Sequence, residues 1–85
     1  PEISRFYGII ISLFYGDHNP PHFHVRYGSY KAAIALEIFF YWMDHFHEGI
    51  LGLVMEWAAR HQNELLLAWE MVAKDLPPPS IEPLD

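Results

Sequence analysis

The sequence contains no cysteine. That removes a disulfide scaffold, a Cys-ligated zinc knuckle and a thiol nucleophile together. Positive charge is also scarce, with 5 Lys and Arg against 11 Asp and Glu and a formal charge of −6. A strong duplex-binding surface needs clustered cations, so this balance argues against one. Gly8, Gly16, Gly28, Gly49 and Gly52 have neither P-loop nor dinucleotide-binding spacing. None of Ser4, Ser12, Ser29 and Ser80 sits in a G-x-S-x-G elbow. Hydrolase and nucleotide-binding enzyme readings therefore lack their minimum parts. The most apolar stretch, residues 32–43, is interrupted by Glu37 and is too short to span a membrane. Pro1-Glu2-Ile3-Ser4-Arg5 does not read as a secretory leader, and with no disulfides to staple a small secreted domain, the cytoplasm is the expected location.

What remains is a chain of 85 residues, 52% of them hydrophobic, which is the size and composition of one small folded domain. Residues 6–15 are rich in β-branched and aromatic side chains and read as a first strand, with Gly8 its weak point. Gly16-Asp17-His18-Asn19-Pro20-Pro21 is a run of turn formers. In residues 22–27, His22, His24 and Arg26 alternate with Phe23, Val25 and Tyr27, the signature of a second strand. Gly28-Ser29 predicts a tight turn into a third strand over 30–38, so the order is an antiparallel meander. Residues 38–47 fit either a strand extension or a new element.

From Ile50 the period changes. Ile50, Leu53, Val54, Trp57, His61, Leu65, Ala68, Trp69 and Val72 recur at spacings of three and four, with Glu56, Arg60, Glu64, Glu70 and Lys74 on the other face. A helix over 50–73 exceeds the common length, so the segment is either one long helix or two with a break near His61-Gln62-Asn63, where Asn63 can cap the second. The fold class expected is α+β: a small three-stranded antiparallel sheet covered by one long or two short C-terminal amphipathic helices. Trp57 and Trp69 supply much of the core. The domain spans 1–76, and residues 77–85, with Pro77, Pro78, Pro79 and Pro83, form an extended tail.

The chemistry concentrates in the histidines. His22 and His24 share one strand face, and an i, i+2 pair can offer two imidazoles to one ion. His18 or Asp17 can fold back across the prolines as a third donor, and the candidate metal set is His18, His22 and His24. No cofactor is demanded by this pattern; zinc or ferrous iron are the ions such donors accept. The structural reading is that Asp17 and Asn19 satisfy turn amides while the two imidazoles pair with backbone or a carboxylate. His45 and His47 form a second i, i+2 pair, which ordinary loop polarity explains as well as ligation does. His61 lies on the apolar stripe and reads as a core or boundary histidine. A candidate partner surface combines Arg26 and Tyr30 with the apolar side chains Phe39, Phe40 and Trp42.

Several of these segments together resemble a small bacterial domain-of-unknown-function family, number 4160. The resemblance is carried by Pro1-Glu2-Ile3-Ser4-Arg5-Phe6-Tyr7-Gly8-Ile9, most strongly by Asp17-His18-Asn19-Pro20-Pro21-His22-Phe23-His24-Val25-Arg26-Tyr27-Gly28, then by Leu53-Val54-Met55-Glu56-Trp57, His61, Glu64-Leu65-Leu66, Trp69 and Ile81-Glu82-Pro83-Leu84. Residues 38–49 depart from it: an apolar run stands where the family has a polar turn. The resemblance implies no established activity. Members often sit in two-gene units with another short protein, which implies a regulatory or toxin–antitoxin association. The leading expectation is thus a non-enzymatic accessory protein whose partner is another protein chain. A metal-binding module or metal-dependent enzyme is the alternative. A toxin–antitoxin component acting on nucleic acid comes third, and would require Arg5, Arg26, Lys31 and Arg60 to converge.

Overall fold

The structure is a computed structural model that describes residues 1–37 and 46–85. Its sheet has four strands, not the three expected: β1 (Glu2–Phe6), β2 (Ile9–Ser12), β3 (His22–Tyr27) and β4 (Tyr30–Ala35), in that spatial order and antiparallel throughout. The correction comes from Tyr7 and Gly8. Both have positive φ, 52° and 79°, so the chain reverses between Phe6 and Ile9, which face each other. Two central residues in the left-handed region make the hairpin turn whose twist matches its strands. The single strand read over 6–15 is therefore cut at Gly8, and residues 2–6 supply an extra strand. The turn into β4 is the expected Gly28-Ser29 pair, with Gly28 at φ 59° and Tyr27 facing Tyr30.

Two helices follow, α1 (Glu48–Arg60) and α2 (Gln62–Ala73). The apolar period runs unbroken through both, and the interruption is one residue, His61, at φ −124° and ψ 23°. Asn63, the expected cap, lies inside the first turn of α2; His61 occupies the cap position without a side-chain capping bond. The Gln62 side-chain amide donates to the Leu36 carbonyl at 2.8 Å and ties this break to the end of β4. At the start of α1, His47 Nδ1 accepts from the Ile50 amide at 3.2 Å, satisfying one of the donors that a helix start leaves open.

The core lies between one sheet face and the helices. Ile9, Ile11, Phe23, Val25 and Ile34 meet Val54, Trp57, Leu65, Ala68 and Val72, all buried. Trp57 is fully buried, with its ring 5.4 Å from that of Phe6 and 6.0 Å from that of Phe23. Its indole N–H donates to the Glu82 carbonyl at 2.8 Å, and the Ile81 amide donates to the Ile3 carbonyl at 2.8 Å. The proline-rich segment thereby packs Ile81 and Leu84 into the core and supplies a partner on the outer edge of β1. Phe39, Phe40, Trp42 and His45 lie outside the described residues.

Candidate metal centre

The residues between β2 and β3 place a carboxylate over two imidazoles. Gly16, at φ 70°, turns the chain back, and a side chain there would meet open space, so the backbone conformation alone calls for glycine. Asp17 Oδ1 then accepts from the His18 amide at 2.9 Å, which fixes the carboxyl group on its own turn. The Asn19–Pro20 peptide bond is cis. Pro21 leads into β3, and its carbonyl accepts from the Leu36 amide at 2.9 Å, anchoring the loop to the sheet.

Alternation along β3 does the rest. His22 and His24 share a side of the strand, and both direct Nε2 at one atom, Asp17 Oδ2, at 2.8 and 2.7 Å. The three donor atoms lie within 4.8 Å of one another, making this the one group of this kind among the described residues. The environment is graded: the His22 side chain is 1% exposed, Asp17 14% and His24 30%. The Trp69 ring lies 5.1 Å from that of His22, and the Phe14 ring 4.3 Å from that of His24, so apolar surface flanks both imidazoles. Desolvation pushes the Asp17 carboxyl upward, but the His24 hydrogen bond, the His18 amide and the charges of His22 and His24 outweigh it and hold it below its ordinary value.

The proton positions follow from chemistry. His22 Nδ1 lies 2.7 Å from the Pro20 carbonyl, and a carbonyl only accepts, so Nδ1 carries the proton. In a neutral ring Nε2 then presents a lone pair, and a lone pair 2.8 Å from a carboxylate oxygen is repulsive. A proton held between the two atoms relieves this, and so does a cation that both ligate after moving slightly apart. The second is the usual architecture of a ligating histidine, whose remote N–H is held by a carbonyl that sets tautomer and ring orientation.

Of the expected metal set, His22 and His24 converge directly. His18 lies beside them, its ring stacked on that of His22 at 5.0 Å, its Nδ1 3.1 Å from the Asn19 carbonyl and its Nε2 3.8 Å from Asp17 Oδ1, with the side chain 76% exposed. His47 is committed to capping α1. His61 is half-buried beside Trp57, its Nδ1 2.6 Å from Glu64 Oε1. Arg26 is exposed on β3; Tyr30, 41% exposed, has its ring 5.9 Å from that of Phe46. Arg60 pairs with Glu56 on α1 at 3.1 Å, whereas Arg5, Arg26 and Lys31 fall on one sheet face.

Fold and site together define a small α+β domain, a four-stranded meander with two helices, carrying an Asp-His-His constellation at one corner. Over residues 8–70 the chain matches a domain of unknown function, DUF4160, and it belongs to that family. The matched region contains Asp17, His22 and His24. No curated protein and no solved structure matches the chain. Among the described residues no helix is long and apolar enough to cross a membrane.

Proposed function

We propose that this domain is a metal-binding module in which Asp17, His22 and His24 hold one divalent transition-metal ion. The observation that carries the proposal is the convergence of two Nε2 atoms and a carboxylate oxygen at 2.7 and 2.8 Å, with the far nitrogen of His22 locked by a backbone carbonyl. Two imidazoles and a carboxylate suit zinc or ferrous iron, and three protein donors leave a coordination position for water or a ligand. Tetrahedral zinc at ~2.0–2.1 Å from each donor separates the donors by roughly 3.3 Å, so binding requires Asp17 Oδ2 to draw back from each imidazole by about half an ångström. Asp17, on a turn rather than a strand, is the ligand placed to yield.

The test is elemental analysis of protein purified without chelator or affinity tag. We expect one equivalent of metal per chain, and its loss in Asp17→Asn and in His24→Ala. In both variants the Pro20 carbonyl and the Trp69 ring still hold the buried His22. Substoichiometric metal that neither substitution changes would overturn the proposal. A separate reading rests on the sequence at 38–43, six apolar residues that favour contact with another protein chain. For it, Trp42→Ala should convert a larger species to monomer in size-exclusion chromatography; a monomer before and after counts against it.

A further inference from the structure

The sheet face turned away from the helices collects positive charge that the composition makes scarce. The pairings Arg5 to Ile10, Ile10 to Arg26 and Arg26 to Lys31 run across all four strands, so three of the chain's 5 basic residues stand in one cross-strand row. Arg5 is neutralised within β1, where its Nη2 and Nε donate to the two Glu2 carboxylate oxygens at 2.7 and 3.0 Å. Arg26 and Lys31 differ. Both are exposed, they face each other directly, and neither has a carboxylate partner among the described residues. Like charges opposite one another on neighbouring strands are destabilising. An acidic chain that places two of its few cations so holds a position that an anion would relieve.

The surroundings give that anion a shape. Arg26 and Lys31 line a groove of about 400 Å³ together with Ser12, Phe14, His24 and the Glu2–Arg5 ion pair, whose charges cancel. Phe14 is 49% exposed and offers a ring face at one end. The row next to the cations runs Glu2, Ser12, His24 and Ala33, and the two short side chains flanking His24 leave depth in the floor. We infer that this groove binds a phosphate monoester of nucleotide size, its phosphate between Arg26 and Lys31 and its apolar portion against Phe14. A guanidinium and an ammonium side by side match a dianionic phosphate better than a monoanionic carboxylate. The cationic row ends at the sheet's edges, and the rest of the chain carries the acidic excess, so an extended polyanion gains little and is repelled elsewhere. The volume lies in the range of small-ligand sites. This inference stands on the charge row and its groove and does not require an ion at Asp17, His22 and His24.

The experiment titrates adenosine monophosphate, adenosine and a ten-nucleotide single strand into the purified chain, followed by calorimetry and backbone amide NMR. Adenosine monophosphate should bind and shift amides of β3 and β4. Adenosine should bind at least tenfold more weakly, the ratio set by loss of charge-assisted hydrogen bonds, and Arg26→Gln and Lys31→Gln should each weaken the monophosphate about tenfold. Glu56→Gln, on α1, should leave its binding unchanged. Absence of binding at millimolar monophosphate, equal affinity for the nucleoside, or affinity indifferent to both β3 and β4 substitutions would overturn the inference. So would per-site affinity for the single strand exceeding that for the monophosphate.

Discussion

Strand β3 begins with His22 beneath the loop that carries Asp17 and, near its other end, sets Arg26 against Lys31 on β4, and the two ends handle charge differently. At the first, a carboxylate, a buried imidazole and a half-buried one satisfy each other within 2.8 Å. At the second, two cations stand opposite each other with no described carboxylate within ion-pair distance. One side of one strand, read at alternate residues, carries both arrangements through His24. The difference lies in what faces the strand. A loop that folds back supplies the opposite charge at one end, while the two-residue Gly28-Ser29 turn at the other leaves only the neighbouring strands, which bring Ile10 and Lys31.

Substitutions separate the two ends, and the largest effect should be common to both. Trp57 is fully buried against Phe6 of β1 and Phe23 of β3, so Trp57→Ala should cost about 3–5 kcal/mol, read as the shift of a urea midpoint, and abolish zinc and phosphate binding together. Survival of either function in a destabilised Trp57→Ala protein would show that its end of β3 folds independently of the shared core. Next in size, zinc added at a hundredfold excess over its dissociation constant should stabilise the wild-type chain by about 2.7 kcal/mol. The same addition should leave Asp17→Asn unmoved in thermal denaturation. Asp17→Asn itself should lose about 1–3 kcal/mol without metal, because an amide replaces the one acceptor shared by two imidazoles. Its affinity for phosphate should be unchanged. The smallest effect has the opposite sign: Arg26→Gln should stabilise the chain by about 0.2–1 kcal/mol by removing a like-charge pair, while leaving zinc binding intact. A loss of stability on that substitution would mean that Arg26 is satisfied within the fold and that the two ends are alike.

The sequence makes some of this visible and hides the rest for identifiable reasons. Alternation places His22, His24 and Arg26 on one side of β3, and a two-residue turn at Gly28-Ser29 sets Arg26 against Lys31, so both ends of the strand are legible in the register. The fourth strand is not. Its turn is Tyr7-Gly8, and a tyrosine in the left-handed region carries no turn signature, so residues on both sides read as one apolar strand. The helix break is visible only through length, because the apolar period continues in phase across His61. Which of Asp17 and His18 faces the imidazoles depends on the path of a loop with two prolines, and no periodicity encodes a loop's path. The anchoring of Ile81 and Leu84 is hidden for the same reason: polyproline composition predicts extension, and the hydrogen bonds from Ile81 to Ile3 and from Trp57 to Glu82 come from tertiary packing.

The central claim is that His22 and His24 act with Asp17 as one ligand set. The most direct measurement is a long-range proton–nitrogen NMR spectrum of the imidazole rings during zinc titration. We predict that the Nε2 signals of His22 and His24 shift together and saturate at one equivalent, while His22 keeps its Nδ1 proton against the Pro20 carbonyl. Rings that respond at different stoichiometries, or His22 signals that stay fixed as zinc is taken up elsewhere, would contradict it.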